Sequence, residues 1–293
     1  MADTTASKPN SLSARFTQSG AMGRLIGYVI VGGWSLSSVF FVVWIIGASL
    51  KNNRQLFREP WSLPLDPVWG NYVKTWVSNR FGDYFLNSAI VVSASVLGIL
   101  LVSVPAAYIL ARARFKGRSA VSSFFAFGMG IPYPLLFVPI FVIMNQMRLG
   151  DSLTGLTLAY VALSIPFSIY VLEGFFASLP GELESAAIID GCSDYQVFRH
   201  VMLPLAMPGV ATVAILNFVG LWNEYQWSLV LLNSPENRTL SLGIYSLITS
   251  MQYSGGDWVA LFAGVNIVML PTVILFILLS ERMISGITMG GVK

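Results

Sequence analysis

The chain is short of charge. Only 11% of its 293 residues are Asp, Glu, Lys or Arg, whereas 55% are hydrophobic, and the mean hydropathy is +0.70. An ordinary soluble domain carries about 25% charged residues, so that class is excluded. There is one cysteine, Cys192, which rules out an internal disulfide framework, and one histidine, His200, which leaves little metal chemistry. The net charge of +3 is too small to imply a nucleic-acid partner, and the cations are better explained by membrane orientation. Catalytic signatures are missing too. No G-x-x-x-x-G-K-[ST] occurs, nor even a Gly-Lys dipeptide, so the chain has no P-loop for ATP phosphates. H-E-x-x-H, C-x-x-C and G-x-S-x-G are absent. The reading is of a chain that is not an enzyme and that holds no cofactor or metal of its own.

What the chain does have is long apolar runs. Six candidate spans follow one another: Leu25–Leu50, Tyr84–Ala111, Ser122–Met147, Leu153–Ala177, Met207–Leu232 and Trp258–Leu279. At ~1.5 Å per residue each can cross a hydrocarbon core of ~30 Å. The third contains Gly128, Gly130, Pro132 and Pro134, which predicts a break. Residues 1–20 read as a mobile tail, and 21–293 as a single transmembrane domain. Residues 51–83, with Pro60, Pro64 and Pro67, read as a structured loop on the interface. The short basic loop Arg112, Arg114, Lys116, Arg118 points to the cytoplasm, and six spans then place both termini on that side. One feature competes. Lys51, Arg54, Arg58, Lys74 and Arg80 all fall in the first outer loop.

Between the fourth and fifth spans lies a stretch too polar for lipid, residues 179–208. It reads as two short helices. The first covers Glu182–Asp190 and stops at Gly191, since glycine suits the left-handed position after a helix. Ser193 caps the second, with Gln196 completing a capping box, and Pro204 is expected to end it. Tyr195, Phe198 and Met202 are spaced to share one face of that helix.

This stretch resembles the signature loop of the permease subunits of ATP-binding-cassette importers. Ala186, Ala187 and Gly191 fit the pattern, and Val201, Leu203 and Pro204 close it at the right distance. LPGELESAAIIDG, GLWNEYQWSLVLL and the tail SGITMGGVK are similar to the carbohydrate-importer branch, of maltose-permease type. The resemblance runs from about Phe85 to Lys293. It implies an all-α integral membrane protein of the type I importer permease fold, in a bacterial inner membrane. It also implies a second homologous permease, two cytoplasmic ATPases that bind ATP and Mg, and an extracytoplasmic binding protein that hands over the sugar. The 179–208 loop would dock on the ATPase through Glu182, Glu184, Ser185, Ala186, Ala187, Asp190, Gly191, Tyr195, Phe198, Leu203 and Pro204. The family's usual glutamate is replaced here by Ser185. Glu182, one helical turn earlier, is expected to take over part of the anchoring, whereas Glu184 points about 100° away.

Ionisable groups inside the spans are few, and a charge in the bilayer usually faces a cavity or a partner. Glu224 is the main case. Asn217, Gly220 and Glu224 are expected on one face of the fifth span, with Asn223 and Gln226 on a neighbouring one and Trp227 close by. Aromatic rings with amides and a carboxylate suit a sugar, whose C–H faces stack on rings and whose hydroxyls bond polar groups. Helix-packing glue plus an interfacial aromatic belt fits the same residues. A permease for a non-sugar solute and an ion-coupled secondary transporter are the rival functions. Glu173, His200 and Cys192 read as structural or solvated side chains.

Overall fold

The computed structural model describes residues 20–254 and 256–291, with side chains described for 23–251 and 256–278. The expected mobile tail lies outside the described residues. Every regular element among them is helical. In order these are α1 (Gly20–Ser49), α2 (Asn53–Arg58), α3 (Gly70–Val73), α4 (Phe81–Arg112), α5 (Arg118–Met129), α6 (Phe137–Gln146) and α7 (Leu153–Ser178). There follow α8 (Gly181–Ile189), α9 (Asp194–Val197), α10 (Leu203–Asn223), α11 (Gln226–Leu231), α12 (Leu240–Ser254) and α13 (Trp258–Gly291).

Five helices are long and apolar enough to cross a membrane, and the third expected span is the sixth candidate. It is broken. Arg118–Met129 and Tyr133–Gln146 meet at 99°. The break falls where Pro132 is itself extended and two prolines remove amide donors. Pro105, Pro166, Pro208 and Pro271 instead sit inside intact helices, as membrane helices tolerate.

α4 and α7 form the most extensive helix pair. At one end they are joined by the 179–208 segment through a cluster that includes Val104, Ala107, Leu172, Phe176, Ala187, Val197, Met202 and Val213. At the far end Val91, Leu156, Tyr160, Trp227 and Leu242 form a second cluster. α1 leaves its most apolar stretch unburied within the chain, although α13 packs beside it.

Three expectations are corrected. The fifth span does not run through to Leu232: α10 ends at Asn223 and α11 begins at Gln226. Glu224 causes this locally, because its carboxylate accepts the Trp227 and Ser228 N–H groups at 2.8 and 3.4 Å and starts a new helix there. Pro204 does not end the second loop helix. A π turn over Phe198–Met202 leads directly into α10, with the Leu203 N–H bonding the Phe198 carbonyl five residues back. The wider turn lies where the ring of Pro204 would press on the preceding turn, so the helix widens instead of stopping. Finally, the segment between the fifth and sixth spans, which the sequence reads as an outer loop running to Asp257, is mostly filled by α12.

The cations of the 51–83 segment are largely engaged. Lys51 is buried and donates to the Glu59 and Pro60 carbonyls, Lys74 pairs with Asp257 at 2.6 Å, and Arg80 pairs with Asp83 at 2.9 Å. The turn between α6 and α7 is clamped as well. Asp151 accepts from Ser234 Oγ and from the N–H groups of Ser234 and Asn233 at 2.5, 3.0 and 2.8 Å. The Ser234 hydroxyl above all, with these N–H groups, holds the Asp151 carboxyl down at about 2.

α7 and α10 approach closely at Gly209, where an added Cβ would lie 2.5 Å from the Phe175 ring. Gly209→Ala is expected to lower the melting temperature of the purified complex, by an amount equivalent to about 1–3 kcal/mol of overpacking. Gly220→Ala, whose Cβ meets nothing within 4 Å, is the control and should leave it unchanged. Thermal unfolding of both variants checks the pair.

Candidate functional site: a seated helical loop and a cavity at a helix break

The 179–208 loop is built on its caps. α8 ends with Gly191 at φ 85, and the N–H groups of Gly191 and Cys192 bond the Ile188 and Ala187 carbonyls at 3.0 Å each. This is the Schellman arrangement, with Cys192 packed beside Ala187. The Ser193–Gln196 capping box forms, with the Ser193 N–H bonding Gln196 Oε1 at 2.8 Å.

The loop has two faces. Ala187, Val197 and Met202 are buried against α4, α7 and α10. Phe198 is half-buried and stacks on Tyr108, ring centroids 4.9 Å apart. On the other face Ile188, Ile189 and Tyr195 are exposed, Ile189 at 85%. Tyr195 and Met202 therefore do not share a face. The π turn inserts one residue between them and rotates the helix out of the expected phase. Ser185, Ala186 and Asp190 are exposed, as is Pro204, and Leu203 is half-buried.

The two glutamates divide as the helical geometry predicts. Glu184 turns inward: it accepts a hydrogen bond from Tyr108 at 3.0 Å, and Arg112 Nε lies 4.0 Å from its other oxygen. Arg112 also donates to the Leu179 carbonyl, which ties α4 to the start of the loop. Glu182 is exposed. His200 is exposed against the Gln196 carbonyl, and Glu173 accepts from Ser122 at 3.0 Å.

Deeper in the bundle a cavity of about 270 Å³ opens between the α5–α6 break, α7 and the α10–α11 break. It brings together Asn217, Gly220, Glu224, Gln226 and Trp227. Asn223 lies elsewhere, lining a second cavity with Tyr225 and Thr272, because the break at Glu224 separates its direction from that of Gln226. Glu224 is tightly held. Tyr160 Oη donates to it at 2.6 Å, besides the two backbone N–H groups. Asn217 donates to Ser168 and to the Val213 carbonyl at 3.0 and 2.9 Å. Trp227 is buried edge-to-face against Phe137, at 4.6 Å.

A further wall comes from α7, through Tyr160, Leu163, Ser164 and Phe167. Sequence reasoning missed these four. Their spacing of i, i+3, i+4, i+7 was the available signal, since it puts them on one helical face. The neighbouring aromatics Trp222 and Tyr225 are engaged in packing instead. Trp222 stacks on Phe218 at 5.6 Å and donates to the Val268 carbonyl, and Tyr225 stacks on Tyr245.

Residues 103–284 match the family described as binding-protein-dependent transport system inner membrane component. That segment includes the seated loop and every residue of the cavity. The chain belongs to this family. It is thus an all-helical, multi-pass permease component of an importer, and its role is transport. Among similar proteins is the diacetylchitobiose uptake system permease protein NgcG of Streptomyces coelicolor, 34% identical over 90% of this chain and 87% of its own. The galactooligosaccharides transport system permease protein GanQ of Bacillus subtilis is 28% identical over 92% of this chain and 95% of its own. The fold matches a crystal structure of a bacterial ABC transporter involved in the import of the acidic polysaccharide alginate. The TM-score there is 0.75 at 23% identity, covering 94% of this chain and 99% of that one.

The inward setting of Glu184 makes a stability prediction. Glu184→Ala leaves the Tyr108 hydroxyl without its acceptor and removes the carboxylate near Arg112, and should cost about 1–3 kcal/mol. Glu182→Ala, on the exposed face, should stay within ~0.5 kcal/mol of the unmodified chain. Thermal melts of the two variants side by side check the difference.

Proposed function

We propose that this chain is one of two permease subunits of an ATP-driven importer of an oligosaccharide in a bacterial inner membrane. The observation that carries the reading is the two-faced loop: an exposed apolar edge held rigidly on the ends of three spans. Ile188, Ile189, Tyr195 and Glu182 form the surface that docks on a cytoplasmic ATPase. ATP and Mg are bound by that partner. Ala187, Val197 and Met202 transmit the push to α4, α7 and α10, because a packed core shifts between discrete arrangements and does not deform smoothly. An ATPase can shift the permease only through contacts that differ between the two states, and a rigid attachment supplies them.

The termini and the loop then face the cytoplasm. The engaged cations of the 51–83 segment weigh little against the short basic loop after α4. An extracytoplasmic binding protein delivers the sugar on the opposite side. The oligosaccharide assignment is supported by the relatives named for diacetylchitobiose, galactooligosaccharides and arabinooligosaccharides. The cavity at the α10–α11 break fits such a cargo, with four aromatic rings beside amide and hydroxyl groups. Ser185 donates to the Gly181 carbonyl of its own helix, and the exposed acidic groups beside it are Glu182 and Asp190.

Uptake of a panel of labelled oligosaccharides, in cells lacking and then regaining the chain, tests this. One sugar should be lost, rescued by the unmodified chain, and abolished by ATP depletion but not by an uncoupler. Ile189→Asp should cut rescue at least ~10-fold, as a charge in a desolvated docking contact does, with the amount of chain in the membrane unchanged. Collapse of uptake by the uncoupler alone, or full rescue by Ile189→Asp, contradicts the proposal.

A further inference from the structure

The cavity at the α10–α11 break has an uneven charge inventory. Its twelve lining residues include one carboxylate, Glu224, and no lysine, arginine or histidine. The carboxylate is also heavily used as an acceptor, with three donors on about four acceptor sites. One oxygen takes the Trp227 N–H at 2.8 Å, and the other takes the Tyr160 hydroxyl at 2.6 Å and the Ser228 N–H at 3.4 Å. Tyr160 is itself buried and braced by Ser228 at 3.1 Å. Glu224 is therefore fixed in place, with most of its acceptor capacity committed to the protein. What it offers a passing solute is mainly its charge.

We propose that Glu224 makes this cavity a charge filter, which admits an uncharged glycosyl unit and rejects sugars bearing carboxylate, sulfate or phosphate groups. The substrate class in this proposal rests on the reading that the cavity lies on the sugar's path. An anionic group brought beside a fixed carboxylate, with no cation in the wall to offset it, meets repulsion that a low-dielectric site screens poorly. Selectivity by a built-in repulsive group is a common device for rejecting a near-isostere. Uncharged sugar rings lose nothing by this, since Phe167 and the exposed Tyr133 offer faces and edges for their C–H groups. The cavity, at about 270 Å³, lies just under the ~300–1,000 Å³ typical of small-molecule sites, so it suits one terminal unit of an oligosaccharide. By this account the chain differs in selectivity from a transporter of an acidic polysaccharide, although it shares that fold.

The test does not require the sugar to be identified. Cys192 is the sole cysteine of the chain, so Cys192→Ser gives a background without thiols. Gly220 lines the cavity, and an added Cβ there meets nothing within 4 Å. In the assembled importer, Gly220→Cys is treated with a cationic or an anionic methanethiosulfonate of similar size. The thiolate displaces methanesulfinate and forms a mixed disulfide, which is read as the mass shift of this chain alone. Rates are normalised to those of each reagent with a small free thiol in solution. The cationic reagent should react faster at Gly220→Cys by at least about tenfold, and Glu224→Gln should remove most of that bias. Gln keeps an acceptor for the Trp227 N–H, and co-purification with the partner subunits checks assembly. No bias, a bias that survives Glu224→Gln, or no reaction with either reagent in any nucleotide state overturns the filter. Protection by the sugar that cells take up is measured separately. If bias is present but that sugar gives no protection, the sugar-path reading fails and the filter stands as a property of the cavity alone.

Discussion

The structure depends on how a polar loop is attached to an apolar bundle. Ala187, Val197 and Met202 are buried among side chains of α4, α7 and α10, so the loop has no independent core. Ala187 matters because it is small: it lets α8 lie against the ends of the spans while Ile188 and Ile189 stay outside. The Schellman turn at Gly191 and the Ser193–Gln196 box satisfy the backbone groups of two short helices that would not be stable alone. Glu184 with Tyr108, and Arg112 with the Leu179 carbonyl, then close the polar edge of the seat. A push on the exposed edge has few soft places in which to be absorbed before it reaches the spans.

The same chain breaks its helices where it needs polar groups away from the ends. The α5–α6 and α10–α11 breaks both border the cavity. Irregular backbone at such depth is tolerated where it lines a cavity or is buried in protein. Glu224 shows how one side chain produces the break and uses it: its carboxylate takes amides that a continuous helix would have paired, and so fixes both its own position and that of Trp227. Beyond it a chain of hydroxyls, Tyr160, Ser228 and Thr239, runs to the start of α12, so the cavity wall is braced from the far end of the bundle.

Much of this was legible in the sequence. The six apolar stretches, the break at Pro132, the stop at Gly191 and the capping box depend on local chemistry, and local chemistry is what residues at short spacing report. The loop's identity came from the spacing of Ala186, Ala187, Gly191, Leu203 and Pro204. Less legible were features set by tertiary competition. A helical wheel carries Asn217, Gly220 and Glu224 along one face, but it cannot show that the Glu224 side chain will capture amides ahead of it. It likewise assumes a constant phase, which the π turn at Phe198–Met202 violates, and so it put Tyr195 and Met202 together. The α7 wall was readable in principle from 160, 163, 164 and 167, yet in an all-apolar span such a stripe has no contrast. α12 was hidden for a similar reason, being short and moderately polar between two stronger apolar signals.

The central claim is that the loop and the spans beneath it move as one body. Spin labels at His200→Cys and Leu97→Cys, in the Cys192→Ser background, place one probe on the loop outside its docking residues and one on the exposed side of α4. The distance between them, measured by pulsed electron resonance in the assembled importer, should be the same without nucleotide and with ATP trapped. A shift of ~5 Å or more, the size of a one-turn slip of one element past another, would mean that the loop moves on its own and would contradict the account.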